Sequence, residues 1–308
     1  MMTADEIADA LERPTQQTAD GLPIVTVSHD IETAHGRVRM HEHIGRGAWV
    51  RVPRRPVLLL PGPVAVSSFF RIPFPGYDAA GVLAREGYVC LTVDLLGTGE
   101  SEEPKDGRAC TVERNAAAIS EALAELCAKR AYPAVDVIGE SWGAAIGTRL
   151  ARDPARVRSC AIVSTLFRDP TPAIDQMARA PHMRGVLDAL PDGYLPVGEE
   201  IWGPLSGPMP EAVAAWTMET QPGRYASAPM IAVLDLPYFD PSGARVPGLV
   251  VRGAEDPLVS ETDAFDLAET YGGPAEVVQL PGAGHIPRVE EASREAFWDA
   301  ILAFLAAG

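Results

Sequence analysis

The chain has 308 residues, 47% of them hydrophobic and 22% charged, with a formal net charge of -16 at pH 7, which is enough apolar material for one large α/β domain or two smaller ones. The acidic balance excludes nucleic acid as a partner, because phosphate binding rests on clustered Lys and Arg, and is that of a solvated, self-repelling surface. No apolar run approaches the ~20 residues of a membrane span, and the opening MMTADEIADA is acidic where a secretion signal is basic and then apolar, so no membrane partner and a cytoplasmic location are expected.

Residues 1–20 hold a short amphipathic piece, ADEIADALER, and a polar run, and form an N-terminal appendage. Strand-like runs follow at 23–29, 37–45 and 56–60. The first two show some alternation, and the last, PVLLL, is continuously apolar, as suits the buried centre of a sheet. From there strand and helix alternate: YVCLTVD, a helix over 111–130, AVDVIG, a helix over 142–152, SCAIVS, then GLVVRG, a helix over 260–271, AEVVQL and a helix over 289–306. That alternation predicts an α/β fold, a mostly parallel sheet with helices on both faces and the chemistry on loops at the carboxyl ends of the strands. The predicted core is 21–165 and 246–308.

Residues 166–245 interrupt the rhythm and are predicted to be a mainly helical lid. Met177, Met183, Tyr194, Trp202, Met209, Trp216, Met218, Tyr225, Met230, Tyr238 and Phe239 fall there or at its edges, and such side chains line a pocket as readily as they fill a second small core. Cys90, Cys110, Cys127 and Cys160 stand far apart, with no CxxC and no zinc-like spacing, so no disulfide framework is implied.

GESWG at 139–143 lies between a strand ending near Ile138 and a helix beginning near Trp142. A G-x-S-x-G in that setting places Ser141 on a sharp strand-to-helix turn, with glycines where a Cβ would collide and the hydroxyl at the positive end of a helix. A serine hydroxyl needs a base, and the base an orienter. Of the six histidines, His285 in LPGAGHIP is the one that follows a late strand, on a glycine-rich loop. His41 and His43 share a strand face without a third ligand, so no metal is expected, and His182 is at most a substrate contact. For the orienter, VVRGAEDPLV offers Glu255 and Asp256; Asp256, four residues beyond the strand end and before Pro257, is preferred.

In order along the chain, VLLLPG, VDLLGTGES, GESWG, RGAEDPLV and GAGHIP make the sequence resemble an α/β-hydrolase fold protein with a lid, from about residue 22 to the end. The resemblance implies a catalytic triad of Ser141, Asp256 and His285 in that chain order, an oxyanion hole using the N–H of Trp142, and no cofactor. In the segment resembling D-x-x-G-x-G-x-S, Asp94, Gly97, Gly99 and Ser101 match while Leu96 stands where many members carry arginine, and the segment is a structural loop.

One departure bears on chemistry. Members usually have His-Gly after the first long core strand, with a backbone N–H just beyond the Gly helping to bind the oxyanion. Here Pro61 replaces the His and Pro63 falls where the N–H is expected, and proline has none. The second donor must then be Val64, through a one-residue loop shift, or a side chain such as Ser67 or Ser68. The expectation is a serine-dependent hydrolase of an ester or thioester with a hydrophobic small-molecule substrate. The alternative is a non-hydrolytic acyl transfer, elimination or cyclisation with the same triad.

Overall fold

The computed structural model describes residues 16–18, 21–45, 54–178, 180, 182–197 and 207–307. Most of the predicted appendage, and Trp202 of the predicted lid, lie outside them.

Among the described residues nine strands form one sheet: β1 (Gln16–Gln17), β2 (Pro23–Ile31), β3 (Val38–Gly45), β4 (Arg54–Leu60), β5 (Tyr88–Val93), β6 (Val135–Glu140), β7 (Val157–Val163), β10 (Gly248–Gly253) and β11 (Ala275–Leu280). Their order is β1-β2-β3-β5-β4-β6-β7-β10-β11. The pairs β1/β2, β2/β3 and β3/β5 are antiparallel and the rest parallel, as the alternation predicts. Every residue of β5, β6 and β10 is buried, so these strands are mostly apolar, and the charged residues within them, Asp136, Glu140 and Arg252, are buried as well. The terminal strand β11 has one neighbour and is only partly covered.

Helices cover both faces. α1 (Ala79–Arg85) and α9 (Arg294–Ala307) pack Leu83, Phe297, Ile301 and Leu305 against Val57, Leu59 and Cys90. On the other face α2 (Val112–Arg130), α3 (Trp142–Leu150) and α8 (Glu261–Thr270) pack Ile119, Leu123, Ile146 and Leu267 into the larger core with Leu58, Leu60 and Val137. The Thr111 hydroxyl accepts the Arg114 N–H to cap the start of α2, and Ala131 ends it at φ 55°.

In the sheet and its covering helices, one helix and one helix boundary depart from the sequence expectation by more than two residues. Helix α1 was not expected; Asp78 caps it, accepting the Gly81 N–H at 3.0 Å, and seven residues are too few for a clear period. The last helix begins at Arg294 rather than 289, because Glu290 turns its carboxylate back onto the preceding loop.

Between β7 and β10 the chain forms α4 (Pro172–Ala178), α5 (Met183–Asp188), α6 (Glu211–Glu219) and α7 (Ala228–Val233), with a two-stranded sheet of β8 (Tyr194–Pro196) and β9 (Arg224–Ala226). Met209, Trp216 and Met218 pack onto a small separate core that includes Phe69, Ile72, Val213, Tyr225 and Val289; Tyr225 belongs to that core and also lines a cavity, as does Met230, which packs against it, and Tyr238 lines the same cavity. The four cysteines are free thiols. Among the described residues no helix is long and apolar enough to cross a membrane.

Candidate active site

Strand β6 ends at Glu140 and helix α3 begins at Trp142, leaving Ser141 alone to turn the chain, at φ 53° and ψ -117°. A side chain at positive φ is strained, and such strain persists only where the surroundings hold it. They do so here by close approach. A Cβ on Gly139 would lie 2.4 Å from the Gly143 carbonyl oxygen, and one on Gly143 2.4 Å from that of Leu60, so only hydrogen fits on either side of the turn. The Ser141 N–H donates to the Val163 carbonyl at 2.8 Å and the Ala144 N–H to that of Ser141 at 3.0 Å. Among the described residues, the N–H groups of Trp142 and Gly143 remain open at the head of the helix.

His285 lies on the loop between β11 and α9, 6% exposed, with Nδ1 2.9 and 3.0 Å from the two oxygens of Asp256. Asp256 follows β10 and is buried; its Oδ1 also accepts the N–H groups of Leu258 at 2.8 Å and Val259 at 3.1 Å. These bonds fix the carboxylate, which in turn favours the proton on Nδ1 and leaves Nε2 able to accept one. Of the two acids offered by the sequence, Asp256 meets the imidazole, and Glu255 is exposed with its backbone N–H on the Ala283 carbonyl. Burial alone would lower the His285 pKa. The carboxylates of Asp256, Glu140 and Glu290 outweigh it, and the net direction is upward from 6.5.

Ser141 and His285 open on one cavity of about 380 Å³, whose other walls include Phe69, Leu166, Ile174, Met230, Val233 and Leu258. Among its described lining residues there is no Lys or Arg. The Trp142 ring stacks on Tyr238 at 5.3 Å between centroids, and the Tyr238 hydroxyl is 3.2 Å from Thr165 Oγ1, so the first residue of the helix is braced from the inserted segment.

The turn after β4 stands beside the serine: a Cβ on Gly62 would be 3.5 Å from that of Ser141. The Ala65 N–H donates to the Gly62 carbonyl at 3.3 Å, which puts Pro63 and Val64 at the two corners of a tight turn, and both line the cavity. Ser67 and Ser68 do not line it, and the Ser67 N–H donates to Asp94 at 2.7 Å. Asp94 also accepts the Glu100 N–H at 2.8 Å, so the Asp94–Ser101 segment is the structural loop expected. His41 and His43 stack at 6.2 Å and pair with the hydroxyls of Ser28 and Thr26.

Three charged residues around the site escape sequence reasoning. Glu290 accepts the N–H groups of Gly284 at 2.6 Å and Ile286 at 3.0 Å, one on each side of His285. Arg288 Nε donates to Glu140 Oε1 at 2.6 Å, joining residues 148 positions apart. The only sequence signal is a charged residue inside each motif, GESWG and GHIPRVEE, and motifs do not state which charges meet.

A family model described as "Alpha/beta hydrolase family" matches residues 57–300. Among solved structures the chain is similar to the carboxylesterase CesB of Bacillus subtilis, at 16% identity over 92% of each chain with a TM-score of 0.60. It is similar to the enol-lactonase of Burkholderia xenovorans LB400, at 20% identity over 90% of this chain and 100% of that one, TM-score 0.60. A third is an E-2-(acetamidomethylene)succinate hydrolase, at 19% identity over 91% and 99% of the two chains, TM-score 0.64. At such identities the likeness is one of fold, and chemistry has to be argued from the site.

Proposed function

The chain belongs to the alpha/beta hydrolase family, and we propose that it is a serine-dependent hydrolase of a carboxylic ester or thioester with an uncharged, apolar acyl part. The observation that carries this reading is the strained Ser141 at the head of α3, sharing an apolar cavity with the base of the His285–Asp256 pair. Ser141 Oγ gives its proton to His285 Nε2 and attacks the carbonyl carbon. The oxyanion lies toward the N–H groups of Trp142 and Val64, and His285 then protonates the leaving alcohol or thiol. Water, deprotonated by the same nitrogen, releases the acid and restores the serine. Residues 166–245 act as a lid whose Tyr225, Met230 and Tyr238 complete the acyl site.

The substrate class is tested with p-nitrophenyl esters. Each buried methylene contributes about 0.8 kcal/mol, so the hexanoate should exceed the acetate in kcat/KM by on the order of tenfold even if half of that is realised. The mono-p-nitrophenyl ester of adipic acid carries a carboxylate into a cavity lined by no described cation and should fall below the hexanoate by roughly a hundredfold. Equal rates for hexanoate and adipate would contradict an uncharged acyl group.

A second reading, acyl transfer, elimination or cyclisation with the same triad, is carried by Pro63, which has no N–H to offer an oxyanion. The turn geometry favours hydrolysis. Proline suits the first corner of such a turn and holds Val64 at the second, so Pro63→Gly should loosen the donor and lower kcat/KM for the hexanoate by about three- to tenfold. A rise of tenfold or more would mean that proline had removed the donor, and would favour the second reading.

A further inference from the structure

Arg288 sits three residues beyond His285 and is 1% exposed. Its Nε and Nη2 reach the two oxygens of Glu140 at 2.6 and 3.3 Å, and Glu140 is the residue before Ser141, itself 6% exposed. Its guanidinium lies over the rings of Phe69 and Phe70, at 4.6 and 4.9 Å, on the short turn that follows Val64. Nη1 is buried with no hydrogen-bond acceptor among the described residues, so the flat face against the rings is where that end of the cation is accommodated.

A buried ion pair contributes little net stability compared with apolar residues of the same size, whereas removing one partner leaves a buried charge unbalanced. Its location therefore asks for another explanation. We propose that Glu140 and Arg288 are a charge-balancing strut between the nucleophile elbow and the His285 loop, positioning residues that hold the imidazole against Ser141 and set the charge around it. The inference rests on the proposed triad. Among the described residues, the charged groups that act on His285 include Asp256 from the loop after β10, Glu140 from the end of β6 and Glu290 from its own loop, and Arg288 of that loop is bonded to Glu140. Glu140 favours the protonated imidazole. Arg288 is bonded to that carboxylate, and a cation so placed opposes its effect on the imidazole. A strut placed only for stability has no such bearing on the base.

The test is the pH dependence of kcat/KM for p-nitrophenyl hexanoate, with active enzyme counted by fluorophosphonate labelling so that partial unfolding does not mimic the effect. Glu140→Gln removes a negative charge and leaves the cation, so the acidic limb should move down by about 0.5 pH unit or more. Arg288→Met leaves the carboxylate unbalanced and should move it up by a similar amount. The double variant removes both charges and should return the limb to within about 0.2 unit of wild type. If Arg288→Met does not fold, Glu140→Gln and the double variant still decide the matter. Limbs that stay at the wild-type position, or that move in one direction in every variant, overturn the proposal. Loss of labelling in the wild type would instead overturn the triad itself.

Discussion

Ser141→Ala should lower kcat for p-nitrophenyl hexanoate by at least ~10⁴-fold and abolish fluorophosphonate labelling, while the melting temperature stays within a few degrees of wild type. The rate falls because the alanine methyl can neither attack nor be released; what survives is the rate due to binding and the oxyanion donors alone. The fold persists because the change removes one oxygen from a turn whose shape is fixed by other contacts. Gly139 and Gly143 pack against backbone, and the Ser141 N–H stays on the Val163 carbonyl. Residual activity above a tenth of wild type, with an unchanged melting temperature, would remove Ser141 from the mechanism.

How much of this is legible without coordinates depends on whether the determinant is local. The elbow is local: a buried strand, two glycines and a following helix are all within a few residues of Ser141, and the backbone takes the strained turn that this pattern predicts. The parallel pairing of β4, β5, β6, β7, β10 and β11 is legible in the alternation of strand and helix, whereas their order in the sheet is not, because it depends on which strands meet across long crossovers. Helix α1 escapes notice because its seven residues, AAGVLAR, are too short to show a period. The Glu140–Arg288 contact escapes because it depends on where two loops meet, and 148 residues separate its partners. The aromatic and Met-rich stretch stays ambiguous in sequence because both uses are present in the fold. Trp216 packs in a small core, and Met230 packs against that same core and also lines the cavity, so residue type does not tell the two uses apart. Pro63 looks like a lost donor in sequence. The turn closed by the Ala65 N–H gives it a second meaning, a fixed corner that positions Val64.

Asp256→Asn should cost about 10⁴ in kcat, or roughly 5 kcal/mol of transition-state stabilisation, with little change in affinity for substrate. The carboxylate accepts from His285 Nδ1 at 2.9 Å and so requires the proton to sit on that nitrogen. An amide in its place can present its NH₂ group to Nδ1, which then becomes the acceptor. The remaining proton moves to Nε2, where a base is needed to receive one from Ser141. The same change alters the pH profile in a defined direction. Burial opposes the imidazolium, and the carboxylates, Asp256 first, hold the His285 pKa above 6.5. In the proposed mechanism neutral His285 is the active form, so wild-type activity should rise with pH through a limb displaced upward from the ordinary imidazole range. Removing Asp256 takes away the largest opposing charge and should shift whatever limb remains downward. Glu255→Gln supplies the control. That side chain is exposed and makes no contact with the imidazole, so its loss should change kcat by less than about twofold, as exposed charges do. Equal losses in the two variants would assign the effect to the loop rather than to the carboxylate. A large loss confined to Glu255→Gln would move the orienter to the neighbouring residue. The expected pattern, a collapse in one variant and near-neutrality in the other, separates adjacent acids by geometry alone, because only one of them points into the protein where a histidine can reach it.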